Sequence, residues 1–139
     1  VIEHVYDRVA LLAECRRILK PGGTLVILTP NTASWGHRQF GAAWLNLDPP
    51  RHLVLFSERT LRQAAEKAGL KVRRLDTTVR TAWVYGALSR CIQDKGRAEM
   101  SELGKPANLL RGIRFQLQER WKIRNDAQAG DELRLIASK

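Results

Sequence analysis

Two cysteines in 139 residues, Cys15 and Cys91, are too few for a disulfide framework or a metal-ligand cluster. Cys15 falls on the apolar side of a predicted helix and reads as a buried thiol. No uninterrupted apolar run approaches the ~20 residues that cross a bilayer. The opening Val1-Ile2-Glu3-His4 also lacks the basic and then apolar pattern of a signal peptide. A soluble protein of a reducing, cytoplasmic compartment is the expectation. Acids are the scarcer charge: 14 Asp and Glu stand against 24 Lys and Arg, a formal net charge of +10 that suits an anionic partner. The basic residues are scattered and no aromatic-basic pattern of the RNP type is present, so there is no clear nucleic-acid signature. Internal repeats and low-complexity tracts are absent, which leaves one ordinary domain to explain.

A chain of this length buries roughly two-thirds of its unfolded surface, and 44% hydrophobic residues suffice for one core. Asp7 is a good N-cap, and Val9, Leu12, Cys15, Ile18 and Leu19 then recur at three- and four-residue spacing, which predicts a helix from about Arg8 to Leu19. Pro21, Gly22 and Gly23 stop it. The run Thr24-Leu25-Val26-Ile27-Leu28-Thr29 is apolar without alternation, as expected of a strand covered on both faces. From Thr32 to Phe56 there is no sustained period, and a connection this long is usually functional. Ser57 caps a second predicted helix to about Ala68, stopped by Gly69, and Leu70 to about Val79 reads as a strand.

Between residues 82 and 129, Gly86, Gly96, Gly104 and Pro106 divide the chain into short helical pieces. In the clearest of these, Leu109, Leu110, Ile113, Leu117 and Trp121 stripe one side, and Arg111, Arg114, Arg120, Lys122 and Arg124 occupy the remainder. Such a stripe packs on its own domain, covers a substrate pocket, or makes peripheral membrane contact through 107–126. Gly130-Asp131 reads as a turn and Glu132 to Ala137 as a last strand. The expected organisation is a core over 1–81, a helical insertion over 82–129 and a final strand over 130–139, in an α/β layered domain.

The stretches IEHVYDRVALLAECRRILKPGGTLVILTPN, WLNLDPPRHLVLFSERTLRQAAEKAGL and GDELRLIASK resemble the C-terminal half of class I S-adenosylmethionine-dependent methyltransferases. The likeness is greatest to ubiquinone-biosynthesis O-methyltransferases and to methyltransferases of surface-polysaccharide gene clusters. It implies a partial Rossmann-like fold in which Thr24–Thr29 is the fifth strand, Lys71–Thr78 the sixth and Glu132–Ala137 the seventh, antiparallel between the other two. It implies methyl transfer from S-adenosyl-L-methionine, with O-methylation of a small-molecule or glycolipid hydroxyl as the expected reaction. The family's glycine-rich cofactor turn has no counterpart here, since no G-x-G-x-G stretch exists and Gly22-Gly23 end a helix rather than begin one. No position is therefore assigned to the cofactor, and a non-catalytic or accessory binding module is the competing expectation. A fifth strand with one unpaired edge further predicts self-association.

A histidine is suited to removing the proton of an acceptor hydroxyl, and the resemblance places His4 and His52 in that role. Glu3 and His4 match the last two positions of an E-x-x-E-H motif that binds a divalent ion in some relatives. With His52 they would form a metal set, for which Mg²⁺ is the expected ion. The plainer alternative is a Glu-His pair that caps and orients the start of the first helix. Asn31 and Arg51, on loops at the ligand-binding edge of the sheet, are candidates for holding a polar acceptor. Trp35 and Trp44 are either walls of the acceptor pocket or loop anchors.

Overall fold

The computed structural model describes all residues from Val1 to Lys139. A 3₁₀ turn over Ile2–His4 leads into helix α1 (Arg8–Ile18) and strand β1 (Thr24–Pro30). A short helix α2 (Trp35–Phe40) and two further 3₁₀ turns precede helix α3 (Glu58–Lys67) and strand β2 (Lys71–Thr78). Helices α4 (Ala82–Lys95) and α5 (Pro106–Lys122) follow, and strand β3 (Glu132–Ser138) ends the fold. The three strands lie in the order β1-β3-β2 with β3 antiparallel to both neighbours, as the resemblance implies.

Local chemistry accounts for the helix starts. Asp7 accepts a hydrogen bond from the Ala10 N–H at 2.8 Å, and Ser57 and Thr60 form a reciprocal capping box. The alternative role of Glu3 and His4 as the cap of the first helix is thereby corrected, because Asp7 holds that position. Gly22 and Gly69, both at positive φ, end the turns after α1 and α3, a conformation glycine adopts at no steric cost.

Helices α1 and α3 cover a single face of the sheet. Leu12 and Leu61 from the helices meet Leu133, Leu135 and Ala137 from β3 in a fully buried core. On β1 only Leu25 and Ile27 face this core, while Val26 is 56% exposed and Leu28 also reaches solvent. The expectation of a strand covered on both faces is therefore corrected: no element lies over the opposite face of β1.

Two further readings change. The connection over 32–56 holds regular structure, because Ser34 accepts from the His37 N–H and starts α2. Gly86 does not break a helix. It sits inside α4 where a Cβ would overlap the Phe115 ring, and Gly112 of α5 lies against the Trp83 carbonyl in the same way. Small residues at the crossing let the two helices approach closely, so 82–95 is one continuous helix. Gly96 does act as a C-cap, at φ +75°. The apolar stripe of α5 faces outward, and Asn108, Gly112, Phe115 and Glu119 form its buried side. No helix is long and apolar enough to cross a membrane.

Candidate active site

The turn over residues 2–4 and the loop over 46–54 are laced together by backbone. The Glu3 carbonyl accepts from the N–H groups of Leu53 and Val54 at 2.8 and 3.2 Å. Between these links His4 and His52 face each other, their ring centroids 4.8 Å apart. The His4 Nδ1 lies 2.8 Å from the Arg51 carbonyl and the His52 Nδ1 lies 2.7 Å from the Asn46 carbonyl. A carbonyl only accepts, so both rings carry their hydrogen on Nδ1 and keep Nε2 as the basic nitrogen. Glu3 is buried, accepts from the Thr29 hydroxyl at 3.2 Å, and places Oε1 3.4 Å from the His4 Nε2.

One ligand atom each from Glu3, His4 and His52 falls within 4.8 Å of the other two. Two imidazoles oriented by backbone carbonyls plus one carboxylate form a donor set with the outer-shell support that metal sites use. Ions held at roughly 2.0–2.2 Å would draw these atoms slightly closer. The set fits a divalent transition ion better than Mg²⁺, which takes oxygen ligands.

The other candidates occupy varied positions. Asn31 is fully buried: its amide N–H groups donate to the Gln128 and Gly130 carbonyls, both at 2.8 Å, and its oxygen accepts from the Ala33 N–H. It pins the end of β1 to the segment entering β3. Trp35 stacks on Phe115 at 4.8 Å, and Trp44 is buried and stacks on His37 at the same distance. The Arg51 guanidinium is exposed and paired with Asp48 at 3.3 Å, so within the cluster Arg51 contributes its carbonyl. Thus Glu3, His4, His52 and the Arg51 backbone converge, while Asn31, Trp35 and Trp44 lie in the neighbouring packing.

A buried acidic cluster went unread in the sequence. Glu119 and Asp131 are both completely buried, with Glu132 beside them. Glu132 stands opposite Pro30 and Thr78, so the cluster lies at the carboxyl ends of β1 and β2. The Tyr85 hydroxyl donates to Glu132 at 3.1 Å, and Arg80 is 3.9 Å from it. No regular hydrogen bond reaches the carboxylates of Glu119 or Asp131. Burial, reinforced by Asp131, pushes the Glu119 carboxyl up to about 10. Asp131 is raised by its burial, with the Ser34 hydroxyl, Glu119 and the Trp44 N–H acting in the opposite sense. Glu119 is therefore the member of the pair that holds its proton more tightly. An acid within Gly-Asp-Glu reads as an exposed turn, and only the helix laid across it reveals the burial.

Comparison with known proteins adds three findings. A family model described as "Methyltransferase domain" matches residues 1–75, which contain Glu3, His4 and His52. A Mycolicibacterium smegmatis protein named a probable S-adenosylmethionine-dependent methyltransferase is 48% identical over 31 residues, 22% of this chain and 12% of that protein. A solved structure of Haemonchus contortus phosphoethanolamine N-methyltransferase 2 in complex with S-adenosyl-L-methionine aligns over 100% of this chain and 31% of its own, at 16% identity and a TM-score of 0.49. The chain thus spans under a third of the length of either protein.

Proposed function

The chain belongs to the methyltransferase-domain family, and from that premise we propose that it carries the acceptor side of methyl transfer from S-adenosyl-L-methionine to a small-molecule hydroxyl. The observation that supports this is the convergence of Glu3, His4 and His52 with both Nδ1 atoms anchored to backbone carbonyls. In the reaction the acceptor oxygen bonds to the methyl carbon as the carbon–sulfur bond breaks and the thioether leaves, so the acceptor must also give up a proton. The basic Nε2 of His4 or His52 takes it. Glu3 beside His4 steadies the imidazolium that forms, and the laced backbone holds the rings in place without further reorganisation. In the alternative arrangement a divalent ion held by the same three side chains, their Nε2 atoms then serving as ligands, would lower the pKa of the hydroxyl.

Residues 1–139 contain no glycine-rich turn, so on this reading the main grip on the cofactor comes from outside them. The same feature favours a second reading, an accessory binding module without transfer. Titration of the product of the complete coding sequence with S-adenosylhomocysteine separates the two. Saturable heat supports transfer, and its absence supports the module.

A further inference from the structure

Helix α5 is inverted relative to an ordinary surface helix. Its inner side is built from Asn108, Gly112, Phe115 and Glu119, and its outer side from leucines, isoleucine and tryptophan. Leu110 is 68% exposed, Leu117 59% and Trp121 57%, and these residues line one apolar groove with Ile113 and Arg114. The crossing with α4 prevents a simple roll of the helix. Gly112 and Phe115 are engaged against Trp83 and Gly86 respectively.

The charges around this stripe are of one sign. Arg111, Arg114, Arg120 and Lys122 border it, and the single acid of the helix, Glu119, is buried. Beside the groove a cleft of about 370 Å³ opens between α2, α4 and α5, lined by Arg90, Arg111, Arg114 and the carboxylate of Asp94 over Phe40 and Phe115. Asp94 pairs with Arg111 at 3.3 Å. Arg90 donates only to Gln93 and lies over the Phe40 ring, and Arg114 has no carboxylate partner. Arg114 lines both the polar cleft and the apolar groove.

We propose that α5 is a membrane-surface helix: its stripe enters the acyl boundary of an anionic bilayer, and the Arg90–Arg114 cleft receives a lipid phosphate. A helix of 17 residues is about 25 Å long and lies in the interface with its apolar side down. Basic residues on its flanks meet the negative leaflet, and Trp121 with Lys122 over its ring suits the headgroup level. The charge pattern selects this occupant over a second copy of the chain, because two α5 faces brought together would set arginines against arginines. A headgroup phosphate supplies the bidentate acceptor that Arg90 and Arg114 lack.

The test is co-sedimentation of the product of the complete coding sequence with vesicles of phosphatidylcholine alone and of phosphatidylcholine mixed with phosphatidylglycerol. Binding is expected on the mixed vesicles and at least tenfold weaker on the neutral ones. Leu117→Ser should cost about tenfold or more on the mixed vesicles, and Arg114→Gln about fivefold there with no change on neutral ones. Both positions are exposed, and circular dichroism checks that the fold is kept. Equal binding to the two vesicle types, or retention by Leu117→Ser, overturns the proposal. So does a chain that ignores vesicles, whether it is monomeric or forms an oligomer that Leu117→Ser disperses.

Discussion

His4 and His52 stand 4.8 Å apart, and each is turned by a backbone carbonyl of the loop that carries His52, from Arg51 and Asn46 respectively. Neither contact is required by the packing of α1 or α3. They fix the tautomer of both rings, and a fixed tautomer matters chiefly where a ring nitrogen has work to do.

If the cluster takes a metal, the two imidazoles select its type. Cobalt(II) added to the chain is expected to give visible ligand-field bands that His52→Gln abolishes, and equal Mg²⁺ should not displace it. Displacement by Mg²⁺ at the same concentration would contradict the donor-set argument.

The acid pair predicts a pH dependence of stability. The folded-state values of Glu119 and Asp131 are both raised, Glu119 from 4.5 to about 10. Folded protein therefore binds more protons than unfolded protein above about pH 4.5, and the contribution is full below that value. It is lost as the pH rises through neutral toward 10, at up to about 1.4 kcal/mol per pH unit for one proton. Melting temperatures should fall from pH 5.5 to pH 8.5. In Glu119→Gln, which removes the Glu119 titration and leaves that of Asp131, the fall should become shallower. An unchanged slope in the variant would show that other groups cause it.

At Gly86 two effects compete. Alanine is the better helix former by about 1 kcal/mol. Its Cβ, however, overlaps Phe115, which Trp35 and Phe40 hold in place by ring contacts, and overpacking of this kind costs about 1–3 kcal/mol. Gly86→Ala should therefore lower stability by on the order of 1 kcal/mol in urea unfolding. A gain would mean that the α4–α5 crossing is looser than described.

Strand β1 has β3 on one side and nothing on the other, and Val26 and Leu28 add apolar surface beside that open edge. An apolar groove lined by Ile2, Leu11, Cys15 and Leu25 runs along the same edge. The chain should self-associate in sedimentation equilibrium, and Val26→Lys should disperse it where Leu117→Ser does not. A compact monomer at high concentration would contradict this.

Much of the fold was legible because its signals are local. Asp7 and Ser57 mark helix starts, Gly22 and Gly69 mark ends, and the likeness carried by LKPGG and PPRHL supplied the strand order. Gly86 was not legible, since a glycine that breaks a helix and one that admits a neighbour look alike in one dimension. The orientation of α5 was hidden for a related reason: its periodicity shows two faces, while Gly86 and Gly112 decide which one docks. Of the candidate site, the meeting of Glu3, His4 and His52 followed from the resemblance. The Glu119–Asp131 pair did not, because its burial depends on a helix laid over a strand start.

Proton removal by His4 and His52 in methyl transfer is tested most directly by the rate of S-adenosylhomocysteine formation by the product of the complete coding sequence and by its His4→Ala and His52→Ala variants. The assay supplies S-adenosyl-L-methionine and a deproteinised small-molecule extract of the source cells as acceptor. Turnover by the native protein and a loss of about 10²-fold or more in at least one variant is the predicted result. Turnover at the native rate in both variants would contradict it.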